Sequence, residues 1–197
     1  MHFQRGDHEA AARITRQVVE IGGSHGFTNW LDATLVLREA TAEEPVNAQV
    51  LATLGRQLAQ YRGGSAWRHV FSLCLFAELC LAGGCLEEGE TALASIGGTD
   101  RWAFWAPEIR RIEGELNLVH GRPAEAGERF RVAIQLARER AEKSLELRAT
   151  TCLARLLDGQ GRRDEARAEL AEIYGWFTEG FDTRDLQEAR VLLDKLS

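Results

Sequence analysis

A spacing pattern that occurs three times constrains the fold more than any other feature of the sequence. In each copy, a glycine is followed five positions later by a small residue and four positions after that by a bulky apolar residue. The three sets are Gly84/Gly89/Leu93, Gly121/Ala126/Phe130 and Gly161/Ala166/Leu170. Successive glycines lie about 40 residues apart, a period typical of arrays of paired helices.

Each member of the pattern has a physical role in a helical hairpin. A glycine after a helix adopts the left-handed backbone conformation at little cost. The small residue lets the second helix approach the first, and the bulky residue fills the space between them. A weaker fourth copy, with Gly6 and Ala11, opens the chain. The pattern therefore predicts helical hairpins that bury their apolar faces by stacking.

The composition agrees with an all-helical chain, because good helix formers such as Ala, Leu, Glu and Arg dominate. Apolar residues recur at helical spacing, and no strand candidate exceeds a few residues. The predicted helices are 7–21, 28–41, 46–61, 67–82, 86–96, 104–119, 123–142, 145–159, 163–178 and 183–196.

The sequence from about 107 to 140 resembles a tetratricopeptide repeat. The small and aromatic positions of that motif are matched by Gly114, Gly121, Ala126, Phe130 and Ala133. Asn117 and Arg138 replace the motif's helix-A aromatic and its closing proline, so the version is divergent. The predicted fold is all-α, with antiparallel helical hairpins stacked as a TPR-like right-handed superhelix (α-solenoid) and a C-terminal capping helix. One repeat domain would span 1–197, with irregular repeats over about 1–62, clearer repeats over about 65–180 and the capping helix over about 183–196.

A narrower resemblance concerns residues 65–197, with a looser match over 1–64. The strings KSLELRATTCLARLL and IYGWFTEGFDT are its most specific parts. This region is similar to the C-terminal repeats of large bacterial signalling proteins, in which an adenylate or guanylate cyclase domain precedes a STAND-type ATPase, and of related ATP-binding transcriptional regulators. The resemblance implies a non-catalytic regulatory scaffold, either a fragment of such a protein or a free-standing descendant. Its partner would be a protein or peptide, including an ATPase or cyclase domain of the same polypeptide.

In the resembling repeats, the first helix of each hairpin lines a concave groove that binds the partner. By register, the corresponding residues here are Phe71, Glu78, Glu108, Arg111, Glu115, Arg148 and Arg155. Two interpretations of the arginines remain open. They gather to bind a carboxylate or phosphate in bidentate fashion, or they pair with acids such as Glu108, Glu115, Glu142 and Glu146 as a solvated, salt-bridged surface. The second is the favoured interpretation, because charged helix faces usually serve solubility.

Charge and composition exclude several other classes. The net charge of −6 argues against nucleic-acid binding. No apolar run approaches the roughly 18–20 residues that span a bilayer, and MHFQRGDHEAA is unlike a signal peptide, so a cytoplasmic location without membrane contact is expected. The four cysteines match no metal-ligand spacing. No catalytic motif, cofactor or metal site is predicted. The alternatives are a metabolite sensor with a ligand between helices and a self-associating module that forms a homodimer.

The aromatic string YGWFTEGFDT is interpreted as the end of the last repeat. We expect the preceding helix to continue to Glu179, with Gly180 as its left-handed end and Phe181 packed on Trp176. Asp182 would then cap the terminal helix. The inward face of that helix is predicted to be Leu186, Ala189, Leu193 and Leu196.

Overall fold

The computed structural model describes residues 13–18, 20, 36, 47–60, 66–97 and 104–197, with backbone alone at 66–68. These residues are helical or lie in turns, and none of them is in a strand, which confirms the all-α prediction. The chain divides into two compact units, 1–105 and 106–197. The prediction of one continuous repeat domain concerns how these units meet, and it stays a prediction.

The first unit contains α1 (Ala48–Gln60), α2 (Ala66–Gly83) and α3 (Leu86–Ser95). Residues 72–77 of α2 are all buried, so this helix is the centre of the unit. Gly55 of α1 lies against it, and a Cβ added there would stand 3.1 Å from Cζ of Phe76. The lone glycine within a helix is therefore explained by a close approach to an aromatic ring. Of the predicted helix 7–21, residues 13–18 and 20 are described and helical, and of the predicted helix 28–41 only Val36 is described and helical; the other residues of both lie outside the described part of the chain.

The second unit contains five helices in succession: α4 (Ala106–Val119), α5 (Pro123–Glu139), α6 (Lys143–Gly159), α7 (Arg163–Tyr174) and α8 (Arg184–Leu196). Each helix packs on the next, and α6 also contacts α4 and α8. The first helices of the two hairpins and the terminal helix therefore stand side by side. One buried core runs from Ala126 of α5 through α6 and α7 to Leu196 of α8.

The predicted role of the repeated pattern is confirmed in all three hairpins. Gly84, Gly121 and Gly161 have φ of +71°, +70° and +78°. After α4, Arg122 N donates to Asn117 O at 2.9 Å and Gly121 N donates to Leu118 O at 3.0 Å. The turns after α2 and α6 repeat this pair of bonds, which defines a Schellman ending.

The small and bulky positions lie where the two helices of each hairpin meet. All six residues are buried: Gly89, Leu93, Ala126, Phe130, Ala166 and Leu170. The tightest approach is at Gly114 of α4, where an added Cβ would stand 2.7 Å from Cδ1 of Phe130. The phenyl ring therefore occupies the space that the missing side chain leaves.

The predicted helix 123–142 is too long, because a fourth ending of the same kind stops α5 at Glu139. Here the left-handed residue is Ala141, with φ of +56°. Glu142 N donates to Ala137 O at 2.9 Å and Ala141 N donates to Arg138 O at 3.1 Å. No glycine marks this turn in the sequence, and the break predicted between 142 and 145 lies later in the chain than the observed one.

The predicted end of the last repeat is also wrong. Helix α7 ends at Tyr174 rather than at Glu179. Gly175 is its C-cap and has a φ of −66°. Gly180 is left-handed as expected, at +77°, but it belongs to a separate loop. Phe181 packs on Tyr174 and not on Trp176, with ring centroids 5.9 Å apart.

The terminal helix is present nearly as predicted, with Thr183 rather than Asp182 at its N-cap. Its buried residues are Leu186, Ala189, Leu192 and Leu196, whereas Leu193 is only partly buried. Arg163 of α7 donates to the backbone oxygens of Lys195, Leu196 and Ser197. Because the last carbonyls of a helix lack partners within it, this arginine completes the end of α8.

Candidate functional site

The seven residues predicted to bind a partner fall on α2, α4 and α6. In the first unit, Phe71 stacks on Trp105 with ring centroids 5.4 Å apart, and Glu78 is half-buried. Phe71 therefore packs against Trp105, which is itself buried. The other five lie in the second unit and form part of one charged row.

This row, which we call the charged face, crosses the neighbouring helices α4, α6 and α8. Within each helix its members are three, four or seven positions apart, so they share one side. It comprises Glu108, Arg111 and Glu115 of α4, Arg148, Cys152 and Arg155 of α6, and Asp185 and Glu188 of α8.

The inner end of the charged face is a buried ion pair. Glu108 and Arg111 are only 3% and 4% exposed. The guanidinium donates to both carboxylate oxygens, with Nη2–Oε1 at 2.7 Å and Nε–Oε2 at 3.1 Å. This bidentate geometry offsets part of the cost of removing both charges from water.

Arg148 connects this pair to the other two helices. Its Nη1 lies 2.7 Å from Oε1 of Glu108, across the α4–α6 contact. Its Nε lies 3.9 Å from Oδ1 of Asp185 on α8. One carboxylate of α4 is thus shared by two arginines, and the second of these reaches the terminal helix.

The protonation states follow from these contacts. Burial raises the pKa of Glu108, but the charges of Arg111 and Arg148 outweigh burial and lower that pKa to about 2. Burial raises the pKa of Asp185, and the more distant Arg148 offsets this only in part. Glu108 is therefore held firmly as an anion, whereas ionised Asp185 is less well compensated.

The outer end of the charged face is more accessible and is also paired. Arg111 Nη1 lies 3.1 Å from Oε1 of Glu115, which accepts a bond from the Cys152 thiol at 3.2 Å. Burial, with Glu115 adding to it, raises the pKa of Cys152 to about 12, so this thiol stays protonated as a donor. Arg155 and Arg184 both bind Glu188, at 2.8 Å and 2.7 Å.

These contacts decide between the two interpretations of the arginines. Arg111, Arg148 and Arg155 do lie along one wall, but each is paired with a carboxylate. The expected pairing of arginines with Glu108 and Glu115 is present. The expected solvated surface is not, because Glu108 and Arg111 at the inner end of the charged face are buried. Glu146 was assigned wrongly to this group, since it binds Arg138 and Lys143 instead.

Three members of the charged face were missed from the sequence. Cys152, Asp185 and Glu188 are not among the residues that the sequence predicted to bind a partner. Helical spacing was the signal that could have found the two acids, because Asp185 and Glu188 lie three positions apart and therefore share one side of α8.

A cleft of about 340 Å³ lies on another side of the second unit, between α5, α6 and α7. Its apolar floor is Ile134 and Leu153, and its rim carries charges of both signs. The rim residues are Arg131, Gln135, Arg138, Glu139, Glu165 and Glu169. Its volume is at the lower end of small-molecule sites, but Arg138 is already bound to Glu146 at 2.7 Å.

The loop between α7 and α8 presents a third surface. Residues 174–183, which we call the aromatic loop, contain Tyr174, Trp176, Phe177 and Phe181. Trp176 is 58% exposed and Phe181 is 47% exposed. The ammonium of Lys143 stands 5.8 Å from the centroid of the Trp176 ring. Two half-exposed rings therefore lie on one short loop.

Two other kinds of site were sought in the part of the chain that the structure describes. There, no helix combines the length and apolar character that a membrane crossing requires. No cluster of three or more His, Cys, Asp or Glu side chains in those residues is arranged to hold a metal ion.

Comparison with protein-family models, with curated proteins and with solved structures finds no match to this chain. The functional argument therefore depends on the residues and contacts above.

Proposed function

We propose that the chain is a non-catalytic repeat scaffold that binds a protein or peptide partner. The observation that carries this proposal is the recurrence of one helical hairpin with the same glycine ending and the same small and bulky contacts. Arrays of such hairpins present extended surfaces on which neighbouring repeats contribute successive contacts. We further propose that the hairpins form a TPR-like right-handed superhelix.

The charged face is the surface that we assign to the partner. Its inner end is neutralised and buried, so Glu108 and Arg111 stabilise the array and do not contact a partner. Its outer end remains accessible, since the side chains of Arg155, Arg184 and Glu188 are 48%, 62% and 37% exposed. A partner would exchange charged contacts with these three residues at modest cost, because exposed ion pairs contribute little to stability.

The partner that we propose is an ATPase or output domain of a bacterial signalling protein, in the same polypeptide or a separate one. This choice follows the resemblance of KSLELRATTCLARLL and IYGWFTEGFDT to repeat regions that follow such domains. The alternating signs of Arg155, Glu188 and Arg184 favour a partner segment that also carries both charges.

Site-specific photo-crosslinking in the source cells tests this proposal. A photoreactive phenylalanine would replace Arg155, and a matched control would carry it at Glu128, an exposed position of α5. We expect a crosslinked species with a nucleotide-binding or output domain from position 155 alone. Equal capture from both positions, or no adduct from position 155, would contradict the proposal.

A further inference from the structure

The aromatic loop has a defined shape that local backbone bonds maintain. Trp176 N donates to Ile173 O at 3.2 Å, and Thr183 N donates to Gly180 O at 2.9 Å. The side chain of Gln187 on α8 donates to Asp182 O at 3.3 Å. Exposed rings on a fixed loop lose little conformational freedom when they bind, which favours recognition.

The rings form two contacting pairs. Trp176 meets Phe177 edge to face at 5.2 Å between centroids, and Phe181 tilts against Tyr174 at 5.9 Å. In each pair one ring is partly buried, and the other is about half exposed. The inner rings anchor the outer ones, so Trp176 and Phe181 present fixed apolar surface to solvent.

Two carboxylates in the same loop differ from those of the charged face. Glu179 and Asp182 are exposed, and within the described part of the chain neither makes an ion pair. The carboxylates of Glu108, Glu115 and Glu188 are all engaged by arginines. The loop therefore combines half-exposed aromatic rings with uncompensated negative charge.

We propose that the aromatic loop docks a polypeptide segment that carries both cationic and apolar side chains. An apolar side chain of the segment would lie against Trp176 and Phe181, while its Lys or Arg residues would pair with Glu179 and Asp182. The position of Lys143 shows that the Trp176 ring already tolerates a neighbouring ammonium. This surface is separate from the charged face and uses none of its residues.

The negative charge of the loop favours this occupant over two others. An anionic membrane would repel Glu179 and Asp182, although exposed aromatic rings suit membrane interfaces. A second copy of the chain would bring the same two carboxylates together at a symmetric contact, which like charges oppose.

The probe for the test is a synthetic peptide of Leu and Lys at amphipathic helical spacing, and its counterpart has Glu in place of each Lys. Binding to the full chain is measured by nuclear magnetic resonance, using the Trp176 indole N–H and the amides of residues 175–183. We expect saturable shifts confined to the loop with the Lys peptide and none with the Glu peptide. Shifts spread over other acidic surfaces would overturn the proposal.

Matched variants separate the loop from the general attraction between a cationic peptide and a chain of net charge −6. Trp176→Ala should weaken binding about tenfold or more, as expected for a central aromatic, whereas Val191→Ala, at another exposed apolar residue, should not. The double variant Glu179→Gln/Asp182→Asn should bind the Lys peptide more weakly than the control double variant Glu128→Gln/Asp194→Asn. Both variants change the net charge by the same amount. Equal effects of the two double variants would refute the role of the loop.

Two further measurements exclude the other occupants. Vesicles of anionic lipid should leave the Trp176 signal unchanged, and sedimentation should show the same mass for the parent chain and for Trp176→Ala. A vesicle-induced shift, or self-association that Trp176→Ala abolishes, would overturn the proposal. Loss of crosslinking at Arg155 would bear on the charged face alone, so the two proposals fail separately.

Discussion

Ala141 has the left-handed backbone conformation that glycine provides at the ends of α2, α4 and α6. For an alanine this conformation costs about 1–2 kcal/mol, because Cβ crowds the backbone. The two Schellman bonds of the turn and the packing of α5 and α6 maintain it. A strained residue in an otherwise ordinary connection is therefore a point where stability can be raised.

The change Ala141→Gly should raise the free energy of unfolding by about 1 kcal/mol, since it removes the crowding. The converse change, Gly121→Ala, introduces the same crowding at φ of +70° and should lower it by a similar amount. Urea denaturation of both variants measures the two effects. Destabilisation by Ala141→Gly would mean that flexibility of the unfolded chain outweighs the relief of strain.

Pairs of residues explain what single positions do not. Nothing within α4 itself requires a glycine at position 114, but the ring of Phe130 on α5 occupies the space that a side chain there would need. Gly55 similarly accommodates Phe76. The tetratricopeptide-like spacing anticipated the first pair, because both residues belong to that motif. The second was not anticipated, since the repeats of that region are irregular.

At the scale of helices, the charged face joins α4, α6 and α8 by ion pairs that reinforce their apolar contacts. Glu108 is the common acceptor, because Arg111 of its own helix and Arg148 of α6 both bind it. Removing one partner of a buried pair leaves an uncompensated charge and is strongly destabilising. The packing of α4, α6 and α8 therefore depends on the ionisation of one carboxyl group, that of Glu108.

The pH dependence of stability follows from Glu108. Its pKa is lowered from 4.5 to about 2 in the folded chain, so its contribution is present above about pH 4.5 and is lost as the pH falls toward 2. Glu108→Gln should destabilise the chain by about 3–5 kcal/mol at pH 7, and this difference from the parent should shrink below pH 4.5.

Urea denaturation at pH 7, 4 and 2.5 measures this prediction, with Glu128→Gln as the exposed control. Asp185 acts in the opposite direction, because its raised pKa means that protonation favours the folded chain as the pH falls. Both chains retain Asp185, but the charge of Glu108 is one of the causes that raise its pKa, so the pH dependence of the difference also includes a change at Asp185. A difference between parent and Glu108→Gln that does not vary with pH would contradict the assignment.

At the scale of the whole molecule, residues 106–197 form a compact unit, in which one buried core runs from α5 through α6 and α7 to α8. That core needs the terminal helix, because Leu186, Ala189, Leu192 and Leu196 are all buried in it. On its outer side α8 exposes Gln187, Arg190 and Asp194. One side of α8 is therefore apolar and buried, and the other is polar and exposed.

The fragment 106–197 should therefore fold alone with a cooperative thermal transition, and the shorter fragment 106–183 should not. Circular dichroism during heating tests both fragments. The shorter fragment is the matched control, because it retains four of the five helices and lacks only the cover of the core. A non-cooperative transition for 106–197 would show that the core of this unit depends on residues 1–105.

The helical class, the three glycine endings and the buried small and bulky positions could all be predicted from the amino-acid sequence. These features depend on local backbone preference and on contacts between helices adjacent in the chain, which spacing records. The sequence also predicted the terminal helix, because apolar residues recur at helical spacing along it. It placed the turn at Ala141 too late in the chain, because an alanine in the left-handed region is stabilised by the packing of its neighbours and not by its own preference.

The contacts of the charged and aromatic residues could not be predicted and are known from the folded structure alone. Register placed Arg111, Arg148 and Arg155 on one wall, but their partners Glu108, Glu115 and Glu188 and their unequal burial depend on how closely α4, α6 and α8 approach. The string YGWFTEGFDT suggested a helix end sealed by its aromatics, and the structure instead leaves Trp176 and Phe181 half exposed beside unpaired carboxylates. Burial and charge compensation arise from contacts between residues distant in the chain, and no single segment of sequence contains them.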